Sequence, residues 1–186
     1  MKRYDGYDKA EAYTGEYKTL ELGGHICVIK KVTSEEKDYG TLLRIGFDIA
    51  EGEHKGFYQR QFDRKKETNP DAKWQGMYYQ TIKQDDLKYF KGFITAIENS
   101  NNGFKWDWDE TKLKGKIFGG VFGEEEYQKN DGTIGKSVKC RFVRSAEQVR
   151  KGVEVPEIKK LKGNDAHSSY SSGHSYADND DDELPF

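Results

Sequence analysis

Three tryptophans, a pair of tyrosines and a scatter of lysines and arginines carry the clearest chemistry in this 186-residue chain. Nucleic-acid strands are held by charge on phosphate and by stacking on bases, and stacking requires aromatic side chains that face solvent. Lys73 precedes Trp74, Lys105 precedes Trp106, and Trp108 follows two residues later. All three tryptophans fall in loops or at the edges of elements, none in the middle of a core-facing period. Tyr78 and Tyr79 are adjacent, so in an extended stretch they cannot both point inward. A loop tryptophan can also plug the end of a barrel, and for each one both fates stay open. The expectation is that two or more of these five aromatics face solvent. Three platforms and a few lysines would give useful affinity, because stacking contributes roughly 1–3 kcal/mol per base.

Elements must position these groups. The segment "HICVIKKV" (25–32) reads as a strand entered through Gly23 and Gly24. In "TLLRIGFDIA" Leu43, Ile45, Phe47 and Ile49 alternate with Leu42, Arg44, Gly46 and Asp48, a half-buried strand that sends Arg44 outward. After the turn "EGEHKG" (51–56), "FYQRQF" (57–62) reads as the returning hairpin strand, with Tyr58, Arg60 and Phe62 in one row. Its other row, Phe57, Gln59 and Gln61, suits a core no better, so the inward side stays open. Arg64, Lys65 and Lys66 follow in a polar loop.

The period then changes. Thr81 and Gln84 have capping-box spacing, Asp85 and Asp86 favour a first helical turn, and Leu87, Phe90, Ile94 and Ile97 mark one helix face. That helix is expected to stop near "NSNNG" (99–103). Two more strands, 116–127 and 136–143, flank the turn signal Asn130-Asp131-Gly132. In the second, Val138, Cys140 and Phe142 read inward, and Lys139 and Arg141 outward. The glycines of "FGGVFG" (118–123) mark a barrel bend in preference to close approach of a ligand. Glu124, Glu125 and Glu126 read as a charged strand end that blunts edge pairing.

The order strand, strand, strand, helix, strand, strand is that of an OB-fold. The expected class is therefore all-β with one helix, a five-stranded Greek-key barrel with the helix between strands 3 and 4. It spans 19–162, between a loose arm at 1–18 and a disordered acidic tail at 163–186.

Charge divides the same way. The net charge is -2, but 163–186 holds six acids and no Lys or Arg. Removing those six from the 33 acidic residues leaves 27 against 31 basic ones, so the body is mildly basic. A basic body with an acidic tail suggests polyanion binding and a separate tail function. Mean hydropathy is -1.00, while aromatics reach 13%, more than a small core needs. The N-terminus lacks the apolar run of a secretory signal, no segment approaches a membrane span, and two cysteines are too few for a disulfide framework. A cytoplasmic location is expected, with no membrane partner.

Catalysis has weaker support. Asp107, Asp109 and Glu110 could collect a hard metal ion for a nuclease, but no general base is evident nearby. His25, Cys27 and Cys140 could ligate zinc only as three scattered residues, and both cysteines read as small core residues. His54 has no nameable partner. No phosphate-loop or dinucleotide fingerprint occurs. The expectation is no enzyme, no cofactor and no metal.

The chain closes on "DDDELPF", Asp180, Asp181, Asp182, Glu183, Leu184, Pro185 and Phe186. This resembles the acidic tip of bacterial single-stranded DNA-binding proteins, with Leu184 where that pattern usually has Ile. The resemblance implies that the tip docks into basic, apolar-floored pockets on replication, recombination and repair proteins. The physics suits such use: Phe186 offers a ring and an α-carboxylate together, and the acids steer toward basic partners. The stretches "DIAEGEHKGFY", "YFKGFITAIENSN" and "RFVRSAEQVRKG" are similar to small proteins of Gram-positive phages and integrative elements proposed to bind single-stranded DNA. That likeness covers roughly 20–162 and implies an OB-fold with no residue-level site map. The expected function is to coat single-stranded DNA with little sequence preference while the tip recruits partners. The alternatives are an OB-fold adaptor that binds protein and a metal-dependent nuclease. Oligomeric state, including a homo-oligomer, and RNA versus DNA are left open by the sequence.

Overall fold

The computed structural model describes residues 2–9 and 19–161. Most of the expected arm (1–18) and all of the acidic tail lie outside the described residues. The body is mostly β, an open sheet of five antiparallel strands in the order β3-β2-β1-β4-β5. β1 (Gly23–Lys37) and β2 (Gly40–Ile49) form a hairpin whose two-residue turn ends at Gly40, held at φ 126°. Leu43, Ile45, Phe47 and Ile49 point into the core, as their alternation requires. A bulge at Lys30 bends β1: its first residues pair with β4, Cys27 and Val28 pair with both β4 and β2, and its second half pairs with β2 alone.

The segment 57–62 is not a strand. Phe57–Thr68 forms helix α1, and the third strand is instead β3 (Met77–Ile82). The physical reason lies in Asp48, whose side chain is buried at the end of β2. Its Oδ1 accepts from the amides of Ile49 (2.8 Å) and Tyr58 (2.9 Å), and its Oδ2 from Gln59 (3.3 Å). A carboxylate from the sheet thus satisfies the orphan donors at the start of α1, a cap supplied from another element. With the helix set, Phe57, Tyr58, Gln61 and Phe62 fall on one side and Gln59, Arg60, Asp63 and Arg64 face water.

Helix α2 (Lys88–Ser100) occupies the expected slot between the third and fourth strands. Its start is later than the capping-box spacing suggested. Thr81 belongs to β3, paired with Leu42, and Leu87 at the N-cap is exposed with no side-chain cap. Phe90, Phe93, Ile94, Ala96 and Ile97 are buried, and Tyr78 stacks on Phe93 at 5.9 Å. A 3-10 turn (Glu110–Leu113) leads to β4 (Ile117–Gln128) and β5 (Ile134–Arg144). β2 and β4 are not neighbours, yet Phe47 meets Phe118 at 5.6 Å and Phe122 at 6.0 Å, so the sheet coils tightly around these rings.

The glycines of β4 serve a close approach, though not of a ligand. A Cβ on Gly119 would lie 2.4 Å from Val149, which projects from the short helix α3 (Ala146–Arg150) and also crowds Gly24. α3 opens with a capping box between Ser145 and Gln148, a signal present in the sequence as S-x-x-Q. Beyond α3 the chain lies along the edge of β4. The Lys159 amide donates to Glu124 O and its carbonyl accepts from Glu126, both at 2.9 Å, and Lys159 pairs with the Glu125 carboxylate. Glu124 and Glu126 bind Lys136 and the Leu161 amide. The acidic strand end therefore ties down the last described residues. No helix among the described residues is long and apolar enough to cross a membrane.

Candidate nucleic-acid interface

The aromatic residues divide sharply. Trp74 is buried, and its Nε1–H donates to the carbonyls of Phe47 (3.1 Å) and Gly76 (3.2 Å). Tyr58 is buried edge-on to Phe47 at 5.4 Å, and burial holds its phenol well above the ordinary value. Both were expected as stacking platforms, and both are core. Phe62 is half-buried, tilted against Trp74 at 5.6 Å with Lys66 over its ring. Tyr78 is half-buried, and burial raises its pKa too, with Cys140 adding and Arg144 opposing.

Two of the five loop and edge aromatics do face solvent. Trp108 is 68% exposed and Tyr79 is also exposed. Trp108 is the one non-glycine residue among those described at positive φ, 68°. For a bulky side chain this left-handed conformation costs on the order of 1–3 kcal/mol. Trp108 leans on Phe90 (5.8 Å) and Trp106 (6.2 Å). Trp106 is half-buried, and its Nε1–H has no acceptor within hydrogen-bond reach among the described residues. One short segment thus carries an exposed indole, a strained backbone and an unused donor. Beside it lies a shallow groove of about 420 Å³ lined by Phe104, Lys105, Asp107, Lys112 and Lys116. The Lys116 ammonium rests 4.8 Å over the Phe104 ring, and Lys105 reaches Glu98 at 3.7 Å.

The carboxylates of "WDWDE" are engaged in structure. Lys112 pairs with Asp107 and, at 3.7 Å, with Asp109, and the Asp107 carboxylate raises the lysine pKa. The Thr111 hydroxyl bonds to Asp109 and lowers its pKa, while Glu110 accepts from Ser34 Oγ at 2.7 Å. No group of three metal-ligating side chains converges among the described residues. Cys27 and Cys140 flank Gly120, and burial pushes the Cys140 thiol up to about 12 and Cys27 well above its ordinary value. His54 is buried edge-on to His25 at 5.5 Å, with its Nε2 3.9 Å from Glu21.

A second surface is formed by the outward faces of β1, β2 and β3. Arg44 lies directly opposite Thr33 on one side and Tyr79 on the other. It therefore points away from the core as expected, although its side chain is only 18% exposed and is paired to Glu35 at 2.8 Å.

On β5 the expected faces hold only in part. A bulge between Val121 and Phe122 leaves Arg141 without a partner position, so Cys140 opposes Phe122 and Phe142 opposes Val121. Phe142, expected inside, is exposed, and Val143 is buried instead. The guanidinium groups of Arg141 and Arg144 stand 5.8 and 5.6 Å from the Phe142 ring. Lys139 is exposed on the same strand. Arg60, Arg64, Lys65 and Lys66 line the exposed side of α1, followed by exposed Lys73. Arg60 also donates to the Lys55 carbonyl. Arg44 with Tyr79, Trp106 with Trp108, and Arg141 with Phe142 are thus brought together, while Tyr58 and Trp74 are taken out of reach. Sequence reasoning missed Phe142, Arg144 and Lys116. No protein-family model and no curated protein matches the chain.

Proposed function

We propose that the chain binds single-stranded DNA with little sequence preference, by stacking on Trp108, Tyr79 and Phe142 and by phosphate contacts from the arginines and lysines around them. The observation that carries this reading is Trp108, which holds an indole in water at 68% exposure on a left-handed backbone. Its contacts with Phe90 and Trp106 leave most of the indole in water, and strained exposed residues cluster at ligand sites. The strand order supports an OB-type barrel. A long central β1 pairs with both β2 and β4, and α2 lies between β3 and β4, with α1 as an addition between β2 and β3. Folds of that kind bind oligonucleotides over strands 2 and 3, here the surface carrying Arg44 and Tyr79. The acidic tip, outside the described residues, recruits replication, recombination and repair proteins in the manner its resemblance implies, as in a coating protein of a phage or mobile element. No catalytic step is required.

The test is titration of the full chain with oligo(dT), followed by tryptophan fluorescence at several salt concentrations. Quenching that weakens with salt and is largely lost in Trp108→Ala is expected, with affinity reduced by roughly 1–3 kcal/mol. Absence of binding by the unaltered chain would overturn the reading and leave the protein-binding adaptor in its place.

A further inference from the structure

The outward surface of β1 and β2 carries an acid among its cations. Glu35 Oε1 lies 2.6 Å from Lys37 Nζ, and its Oε2 lies 2.8 Å from the Arg44 guanidinium. Register places all three on one face: Glu35 opposes Leu42, Lys37 opposes Gly40 and Thr33 opposes Arg44, while Arg44 opposes Tyr79 across the next pair. The two carboxylate oxygens are thus divided between two cations, the arrangement in which two non-bridging oxygens of a phosphodiester would sit. Exposure sets the order of approach. The Glu35 side chain is 43% exposed against 26% for Lys37 and 18% for Arg44, so an incoming strand meets the acid before the cations.

We propose that Glu35 occupies a phosphate subsite of this surface, holding Lys37 and Arg44 in the geometry a phosphate needs and limiting the affinity with which one enters. The proposal rests on the single-stranded DNA reading and deepens it by naming one nucleotide position: base against Tyr79, phosphate on Arg44 and Lys37. A guanidinium fork donates to carboxylate and to phosphate in the same planar geometry. Exchange of one for the other therefore needs no rebuilding of the cations, only displacement of Glu35 toward water. The displaced carboxylate then stands beside the phosphate as a like charge, which weakens binding. Lys37 and Arg44 in turn hold the Glu35 carboxyl ionised below the usual range, chiefly through the Lys37 hydrogen bond, so the plug persists at neutral pH.

Removing the charge while keeping the shape tests this. Glu35→Gln in the full chain is compared with Glu36→Gln, an exposed neighbour whose carboxylate accepts from the neutral Thr41 hydroxyl (2.9 Å). Binding of a fluorescein-labelled oligo(dT) is followed by anisotropy across a salt series. Glu35→Gln is expected to tighten binding about tenfold near physiological salt. It is also expected to steepen the slope of log K against log salt by about one, the signature of one more phosphate neutralised. Glu36→Gln is expected to change affinity less than about twofold, as a screened surface charge does. Equal effects of the two substitutions would overturn the proposal in favour of long-range charge. Weaker binding by Glu35→Gln would overturn it too, because Glu35 would then act only to position Arg44. An unchanged Glu35→Gln beside a wild type that binds would leave the DNA reading standing and this subsite refuted. No binding by any of the three would overturn both.

Discussion

Trp74 and Trp108 sit in loops of similar make-up, each with a lysine within three residues before it and each joining a helix to a strand, yet one is core and the other lies in water. Trp74 turns under the end of β2, where Phe47 and Gly76 offer carbonyls to its Nε1–H. Trp108 turns outward at φ 68°, against only Phe90 and Trp106. An indole is buried where the surrounding backbone has acceptors to spare, because an unpaired buried donor costs about 1–3 kcal/mol. Trp106, its Nε1–H buried without an acceptor, stands between the two cases. The contrast teaches that the fate of a loop tryptophan is decided by the neighbouring strands and not by the loop.

Three substitutions probe this difference between the buried and the exposed loop. Trp74→Ala opens a cavity beside Phe47 and Phe62 and is expected to cost about 3–5 kcal/mol in urea unfolding. A loss below 1 kcal/mol would mean that Trp74 packs no better than Trp108. Asp48→Ala strips the acceptor from the Ile49 amide and from the two amides of Tyr58 and Gln59 at the start of α1, with an expected loss of about 2–3 kcal/mol. Circular dichroism should show helix lost along with stability, since α1 has no cap of its own. The smallest effect isolates the backbone of Trp108. Glycine ordinarily destabilises relative to alanine, but at φ 68° Trp108→Gly should be the more stable of the two by about 1 kcal/mol. The reverse order would mean that the Trp108 backbone carries no strain and that the exposed indole alone distinguishes the site.

What was legible in the sequence was local. The alternation of Leu43, Ile45, Phe47 and Ile49, the turn at Asn130-Asp131-Gly132 and a helix between the third and fourth strands all lie within short windows, and the structure contains each. What was lost depended on partners distant in sequence. Phe57, Tyr58 and Phe62 fit a helix face as well as a strand row, and the group that decides, Asp48, belongs to another element. Thr81 and Gln84 have capping-box spacing, but pairing of Thr81 with Leu42 draws that residue into the sheet. On β5 the outward set changes at the bulge, because a slip of one residue sends a side chain to the other face. That slip brought Phe142 out to join Arg141 and Arg144, a grouping no period in the sequence announces. Of the stacking residues expected, Trp108 and Tyr79 stayed exposed and Tyr58 and Trp74 did not. The cations were the easier part, since long charged side chains reach the surface from almost any backbone.

β1 lies at the centre of the sheet, and its two neighbours reach it on different schedules. β2 follows after two residues, whereas Gly23 must wait for Phe122. At a synthesis rate of about 5–20 residues per second, the edge of β1 from Gly23 to Val28 stays open on the order of 10 s before β4 leaves the ribosome. Ile26 and Val28 lie on that edge, paired with Gly119 and Ile117 only once β4 is in place. The β4-facing edge of β1 therefore cannot close until β4 has left the ribosome, and β5 must follow β4 before the sheet is complete.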